Sequence, residues 1–232
     1  LLGRGGAAFS AGLKWQFAVN NPPPRHIICN ADESEAGAFK DRVLMDGDPF
    51  QVIEGLLIAS YAIGASHAFI YVRGEHRLGY ERFTNAVRQL EEAGYLCAET
   101  PGGQFTCRIE VRRGAGAYVC GEETALLSSC EGLRGDPKNR PPFPAQKGYL
   151  GYPTVVNNVE TFCCVSRICE RGAGWFAEMG SKGSPGTKLL SVSGDCKAPG
   201  VFEVPFGTAL KDVLEMAKAE KPIAVQVGGP SG

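Results

Sequence analysis

The 232-residue sequence lacks any apolar run long enough to cross a bilayer. Its longest such stretch lies around residues 56–63, far short of the ~20 residues that a helical span requires. No secretory signal is read at its start. Neither sign of charge is in excess: 24 Lys and Arg against 25 Asp and Glu give a net charge of −1, which excludes broad attraction to nucleic acid or to an anionic membrane. Histidine is scarce, and His26, His67 and His76 have no spacing suited to a shared metal. Nine cysteines are present, yet none forms a C-x-x-C pair, which argues against a zinc or iron–sulfur site in this stretch. An odd cysteine count without a secretory signal also argues against a disulfide framework. All nine, Cys97 included, are expected to be small buried hydrophobes in a reducing cytoplasm. An initiator Met is missing too. The chain opens inside a glycine-rich motif and stops just after an expected strand, so it reads as a fragment.

What is present suits a globular chain with a real core. Hydrophobic residues make up 44% and charged residues 21%, and the length allows one sizeable domain and a smaller one. Residues 25–29 read as a short buried strand, residues 50–63 as a helix with apolar spacing, and residues 68–72 as a second strand. Residues 77–93 fit a helix, and the alternation through Phe105, Cys107, Ile109 and Val111 fits a strand. Strands alternating with helices predict an α/β layer with parallel pairing. Residues 135–153, rich in Pro and Gly, form an extended loop. After a linker near 180–186, strands are expected at 188–192 and 201–204, a helix at 210–219 and a strand at 223–227. That β-β-α-β order suggests a small β-grasp domain.

Four motifs carry candidate chemistry. Gly3-Arg4-Gly5-Gly6-Ala7-Ala8 matches G-x-G-x-x-A, a pattern in which glycines admit a phosphate or ring close to the backbone. An ordinary glycine-rich turn would read the same way. Lys14, Trp15 and Phe17 follow, a cation and aromatics suited to a flat anionic ligand. Asn30-Ala31-Asp32-Glu33-Ser34-Glu35 places three acids directly after an apolar strand. They suit hydroxyls, ring N–H groups or a metal, or else form a solvated acidic loop. The third motif spans Gly114 to Ala125 and contains Tyr118, Gly121, Glu122 and Glu123. Its acids fall in a first helical turn, as capping groups or as acceptors for ribose hydroxyls. In the fourth, Asn157 and Asn158 offer paired donors and acceptors to a flavin or base, and Asn158 alternatively caps a helix.

Together these motifs resemble the flavoprotein subunit of respiratory complex I and of NAD-linked formate dehydrogenases and hydrogenases. The matching stretches are GRGGAAFSAGLKW, CNADESEAGAFKDR, RRGAGAYVCGEETALL, RPPFPA, PTVVNNVET and SVSGDCKAPGVFEVPFGT, in the family's order and across essentially the whole chain. The resemblance implies a Rossmann-like FMN- and NADH-binding domain over residues 1–180 and a β-grasp (SLBB-type) domain over 186–232. It also implies that the glycine loop serves FMN and NADH jointly rather than a standard dinucleotide fold. Carried over by motif, the FMN contacts are Gly3, Arg4, Gly5, Lys14, Asn30, Asp32, Tyr118, Gly121, Glu122, Asn157 and Asn158. Phe9, Phe17 and Phe143 would stack on NADH, Glu35 and Glu123 would face ribose, and Arg140 the dinucleotide.

The implied reaction passes a hydride between NADH and FMN without a side-chain acid or base, then passes single electrons onward. The next acceptors implied are a 4Fe-4S cluster outside this stretch and a thioredoxin-like 2Fe-2S partner subunit within a larger oxidoreductase. The location implied is cytoplasmic, including the cytoplasmic face of a membrane complex. The ending AVQVGGPSG leans toward the soluble formate dehydrogenase and hydrogenase branch. An Rnf-type electron-transport subunit is the first alternative, and the GEET and NNVET motifs argue against it. A scaffold that has lost its flavin is the second, against which Asn30, Asp32 and Glu122 argue. The family usually has Gly where this chain has Ala8, and Lys where it has Arg140.

Overall fold

In the computed structural model, which describes residues 1–96 and 105–229, helix α1 (Ala11–Val19) precedes the first strand, β1 (His26–Ala31). Helices α2 (Lys40–Gly47) and α3 (Pro49–Ile63) lead to β2 (His67–Val72), and α4 (Arg77–Glu92) leads to β3 (Arg108–Arg113). Helix α5 (Glu123–Cys130) and the Pro/Gly-rich loop precede β4 (Thr154–Asn158), followed by α6 (Val159–Arg171) and α7 (Ala173–Glu178). The two-residue strands β5 (Gly180–Ser181) and β6 (Ser184–Pro185) come before the antiparallel hairpin of β7 (Thr187–Val192) and β8 (Gly200–Pro205). Helix α8 (Leu210–Met216) follows. Cys97 and residues 230–232 lie outside the described residues.

Strands β1 to β4 form one parallel sheet in the order β3-β2-β1-β4. The α/β layer with parallel pairing expected from the sequence is therefore present. The strand HIICNA is buried along nearly its whole length because both faces are covered, as a parallel sheet requires. Ile27, Cys29 and Ala31 join the larger apolar cluster with Val52, Ile53, Leu56 and Phe162. Ile28 points the other way, to Phe69, Leu126, Leu127 and Val156. Each fully buried Ile, Leu or Phe there contributes roughly 1.5–3 kcal/mol.

Local signals set the helix ends. Asp48 caps α3 by accepting from Gln51 N–H at 3.0 Å, Pro49 begins the helix, and Gly64 ends it in the left-handed conformation. Gly55 lets α3 press on α6, since a Cβ there would overlap the Phe162 carbonyl. Among the described residues no helix is long and apolar enough to cross a membrane.

The expected strand at 223–227 is not formed. Ile223 and Val227 are exposed, and no strand edge pairs with the segment among the described residues. Apolar alternation alone does not supply a partner, and Pro222 removes a donor just before the segment. Helix α8 also ends at Met216 rather than at 219. The second unit thus shows a hairpin and a helix, not the full β-β-α-β order. The expectation for the cysteines holds only in part. Cys29, Cys107, Cys120, Cys130 and Cys163 are buried, whereas Cys164 and Cys196 are half-buried and Cys169, near the end of α6, is exposed.

The sheet end opposite the glycine loop carries a titratable cluster. His26 is buried against Tyr149 (5.2 Å between centroids), Tyr152, Phe69 and His67, and its Nδ1 has no hydrogen-bond partner. His67 in turn bonds Glu110 at 3.0 Å. Burial first, then His67, pushes the His26 pKa below its ordinary value of 6.5. A lowered folded pKa means that the unfolded chain binds the proton more readily. Stability is therefore full above about pH 6.5 and falls as the pH drops below it. Thermal melts between pH 7.5 and 5 should show this loss, and His26→Phe should reduce it, leaving the share of His76, whose pKa burial and then Arg42 also lower.

Candidate functional site

The sheet order places a topological switch point between β1 and β4: from β1 the chain winds outward through β2 and β3, then returns to β1's other side. Ligands of open α/β sheets bind at the carboxyl ends of strands at such a point. Register pairs Cys29 with Asn157 and Asn30 with Asn158, so three of the candidate residues stand side by side there.

The glycine loop is held over this edge. An antiparallel bridge joins Leu2 to Ser10, Gly3 N–H donates to Phe9 O at 2.8 Å, and Ser10 caps α1. The helix starts only at Ala11, past the whole glycine run, so the loop does not open a helix as the dinucleotide fingerprint does. A Cβ on Gly3 would lie 3.2 Å from Phe9 O, and one on Gly5 would lie 3.4 Å from Asn158 Cβ. Among the described residues, the N–H groups of Gly5, Gly6, Ala7 and Ala8 make no close, well-aligned hydrogen bond to a protein acceptor, although residues 4–7 form a turn. Ala8 takes φ 51°, a left-handed conformation that favours glycine. Ala8→Gly should therefore raise stability by about 1 kcal/mol, read as a higher urea midpoint at unchanged slope.

The other motifs close on the same cleft. Asn30 Nδ2 donates to Gly121 O at 2.9 Å, and its Oδ1 accepts from Asp32 N–H at 3.1 Å. Gly121 in turn sits against Asp32. Burial lifts the Asp32 carboxyl above the ordinary aspartate value, opposed by the Ser34 hydroxyl, which donates at 3.0 Å, and by Arg73. Burial likewise lifts Glu33, which accepts from the Asp41 and Arg42 N–H groups and so caps α2. Trp15 Nε1 donates to Asn157 Oδ1 at 2.9 Å, leaving the Asn157 amide nitrogen without a protein partner among the described residues.

Glu122 caps α5 through Oε2, which accepts from Thr124 N–H at 2.9 Å and Ala125 N–H at 3.1 Å. Its Oε1 is buried with no hydrogen bond and lies 3.4 Å from Arg140 Nη2. Glu123 is held between two cations: Lys14 Nζ at 3.0 Å and Arg140 Nη1 at 3.0 Å. Lys14 also donates to Val156 O at 3.0 Å. Glu35 differs. It accepts from Tyr118 Oη at 2.7 Å and pairs with no cation among the described residues. Phe9 and Phe17 lie 6.3 Å apart, and both are about half exposed, as is Phe143. Asn21 ties the end of α1 to the Pro-rich loop by donating to Phe17 O and to Ala145 O.

Two candidates are placed differently from the rest. The Arg4 side chain turns away from the cleft, donating to Leu2 O at 2.8 Å and Thr187 O at 2.7 Å and lying over the Phe206 ring. Its backbone N–H is also taken, donating to Thr161 Oγ1 at 2.9 Å, so only its carbonyl remains for a ligand. The Asn158 side chain caps α6 and bonds Asp41 at 2.7 Å, so it presents little beyond its Cβ. Sequence reasoning assigned no role to Lys40, Asp41 or Glu160, although all three lie within the motif stretches that carry the resemblance. Among the described residues no group of three or more His, Cys, Asp or Glu side chains is arranged to hold a metal. Two concavities, of about 400 and 550 Å³, lie beside the cleft rather than in it, the first by Glu131 and Lys138, the second beyond Glu35 toward His76.

The cleft offers small glycine positions, of which Gly3 would crowd a Cβ, a run of N–H groups without close partners, a Glu122 oxygen that makes no hydrogen bond and lies 3.4 Å from Arg140, an amide on Asn157 and half-exposed aromatic faces. That set fits a ring with alternating N–H and C=O edges, a phosphate, and a second aromatic ligand.

Comparison with known proteins agrees. Residues 1–167 match the family described as the Nuo51 FMN-binding domain. The alpha subunit of the NAD-reducing hydrogenase HoxS from Cupriavidus necator is 51% identical, over 100% of this chain and 39% of that protein. A subunit of the NADH-quinone oxidoreductase from Aquifex aeolicus is 52% identical, over 92% of this chain and 50% of that protein. A crystal structure of an NAD+-reducing nickel–iron hydrogenase in its H2-reduced state superposes with a TM-score of 0.94 at 46% identity, covering 100% of this chain and 40% of the other. The chain thus spans half or less of the length of these relatives.

Proposed function

Because the chain belongs to the Nuo51 FMN-binding domain family, we propose that it is the flavin- and nicotinamide-binding part of an NAD-linked oxidoreductase. The hydrogenase and quinone-reductase relatives match at nearly equal identity, so the reaction proposed is the one that their names share, electron exchange with NAD(H). FMN, when bound, would supply both hydride acceptance and single-electron release.

The observation that carries the reading is the convergence of Gly5, Asn30, Gly121, Asn157 and Asn158 at the switch point of the sheet. Gly3, Gly5 and Gly121 would let the ligand approach the backbone. The N–H run after Arg4 and the Lys14 ammonium would hold a phosphate. Asn30, through its hold on Gly121 and Asp32, would shape the ring pocket, with Asp32, Glu122 and the Asn157 amide at the ring edge. Phe9, Phe17 and Phe143 would stack on the second ligand, with Glu35, Glu123, Tyr118 and Arg140 at its rim. The chain's task is to set two rings at near-attack distance and keep water out. No side chain is assigned as acid or base.

The remaining parts of the reading concern domains and electron acceptors. Residues 1–180 would form the binding domain, and residues 186–232 a β-grasp (SLBB-type) unit that the observed hairpin and α8 begin. Electrons would leave to a 4Fe-4S cluster outside this stretch and to a thioredoxin-like 2Fe-2S partner, in a cytoplasmic assembly. The test is flavin identity. Acid precipitation should release free FMN, one per chain. Recovery of FAD, or of no flavin from well-folded protein, would refute the reading.

A further inference from the structure

Four charged side chains, none of them in the cleft, meet beneath the glycine loop. Glu160 Oε1 accepts from Leu189 N–H at 2.8 Å and lies 3.7 Å from Arg4 Nε, while its Oε2 lies 2.8 Å from Lys40 Nζ. Lys40 also donates to Asp41 Oδ1 at 2.7 Å and to Asn158 Oδ1 at 3.4 Å. Asp41 Oδ2 accepts from Asn158 Nδ2 at 2.7 Å, and Asn158 Oδ1 accepts from Glu160 N–H at 2.9 Å. The Arg4 and Glu160 side chains are 3% and 5% exposed, so no solvent screens their contact. Two cations and two carboxylates balance, and the balance is what makes the burial tolerable. Burial acts to lower the Lys40 pKa, but Asp41 and Glu160 outweigh it and hold the ammonium above its ordinary value.

The cluster joins four separate pieces of chain. Arg4 belongs to the glycine loop, and its N–H donates to Thr161 Oγ1 at 2.9 Å. Lys40 and Asp41 begin the helix after the acidic loop. Asn158 and Glu160 form the turn from β4 to α6. Thr187, Leu189 and Phe206 come from the C-terminal hairpin and its following turn, with the Arg4 guanidinium 4.6 Å over the Phe206 ring. The first three pieces carry or adjoin residues assigned to FMN, whereas the fourth carries none.

We infer that Glu160 is a positioning residue for the flavin, the junction through which the C-terminal hairpin holds the glycine loop against the Asn158 turn. The inference rests on the FMN reading above. Without the Glu160 charge, Lys40 keeps Asp41 as its ion-pair partner, and Arg4 keeps its bonds to Leu2 O and Thr187 O but loses the carboxylate beside its Nε, which loosens the guanidinium. The glycine loop is then held less tightly over Asn158. If the cluster served packing only, stability would change but flavin affinity would not.

The experiment uses the protein in its parent complex, stripped of flavin and titrated with free FMN by fluorescence quenching. Glu160→Gln, which keeps the acceptor for Leu189 and loses the charge, should raise the Kd for FMN by about tenfold or more. Once the variant is saturated with FMN, its KM for NADH should stay within about twofold while kcat falls. Phe206→Ala, in the turn after the hairpin and outside the cleft, should raise the FMN Kd by about threefold through the loosened Arg4. A folded Glu160→Gln protein with wild-type FMN affinity overturns the inference. Should Glu160→Gln fail to fold, Phe206→Ala decides: weakened FMN binding supports the inference, and unchanged binding overturns it. A wild-type protein that takes up no FMN brings down the flavin reading itself, and the inference with it.

Discussion

Glu35→Gln is expected to improve the use of NADPH by about fivefold or more in kcat/KM, with little change for NADH. Glu35 accepts from Tyr118 and pairs with no cation among the described residues, so its charge stands uncompensated at the cleft. At about 4 Å and an effective dielectric near 20, a unit charge repels a 2′-phosphate charge by roughly 4 kcal/mol before screening. Even a quarter of that, about 1 kcal/mol, is roughly fivefold. Sequence alone treated Glu35 and Glu123 as equals, and the structure separates them. Glu123 is neutralised by Lys14 and Arg140 at 3.0 Å each. Glu123→Gln should therefore change the NADPH/NADH ratio less than Glu35→Gln does, since Lys14 keeps Val156 O and Arg140 keeps Glu122 as partners. Steady-state kinetics of both variants with both nucleotides checks the order. Equal effects, or a larger one at Glu123, would place the specificity elsewhere.

Gly5→Val is expected to abolish flavin binding, with a loss of about a hundredfold or more, while the apoprotein melts within a few degrees of wild type. Gly5 is exposed in its loop, so the side chain disturbs no core. A Cβ on Gly5 already meets Asn158 Cβ at 3.4 Å, so an isopropyl group there pushes the loop off Asn158 and out of its place at the cleft edge. Equilibrium FMN titration and a thermal melt separate the two effects. Wild-type flavin content in Gly5→Val would show that the ligand does not approach this face of the loop.

Much of the fold was legible because its signals are local. The helix at 50–63 matched α3 to within a residue, since Asp48, Pro49 and Gly64 mark its ends within the sequence itself. The strands at β1 and β2 were legible from continuous apolar runs that only a covered sheet can hide. The segment at 223–227 misled for the complementary reason: its alternation is a local pattern, whereas a strand needs an edge to pair with.

At the site, residue types and motifs were readable, but partners were not. Nothing near Arg4 in sequence says that its guanidinium reaches Thr187 and Phe206 rather than the cleft. The capping role of Asn158 was readable because its partner, Glu160 N–H, is two residues away. Its bond to Asp41, 117 residues distant, was not. The methyl at Ala8 could be noted as unusual, but only the backbone shows that it sits at φ 51°.

The most direct test of the account is anaerobic titration of the purified protein, in its parent complex, with NADH while the flavin absorbance is followed. The account predicts one FMN per chain, bleached by NADH, with the bleaching weakened or lost in Gly5→Val. A chain that carries no FMN, or whose FMN keeps its oxidised spectrum under excess NADH, would contradict it.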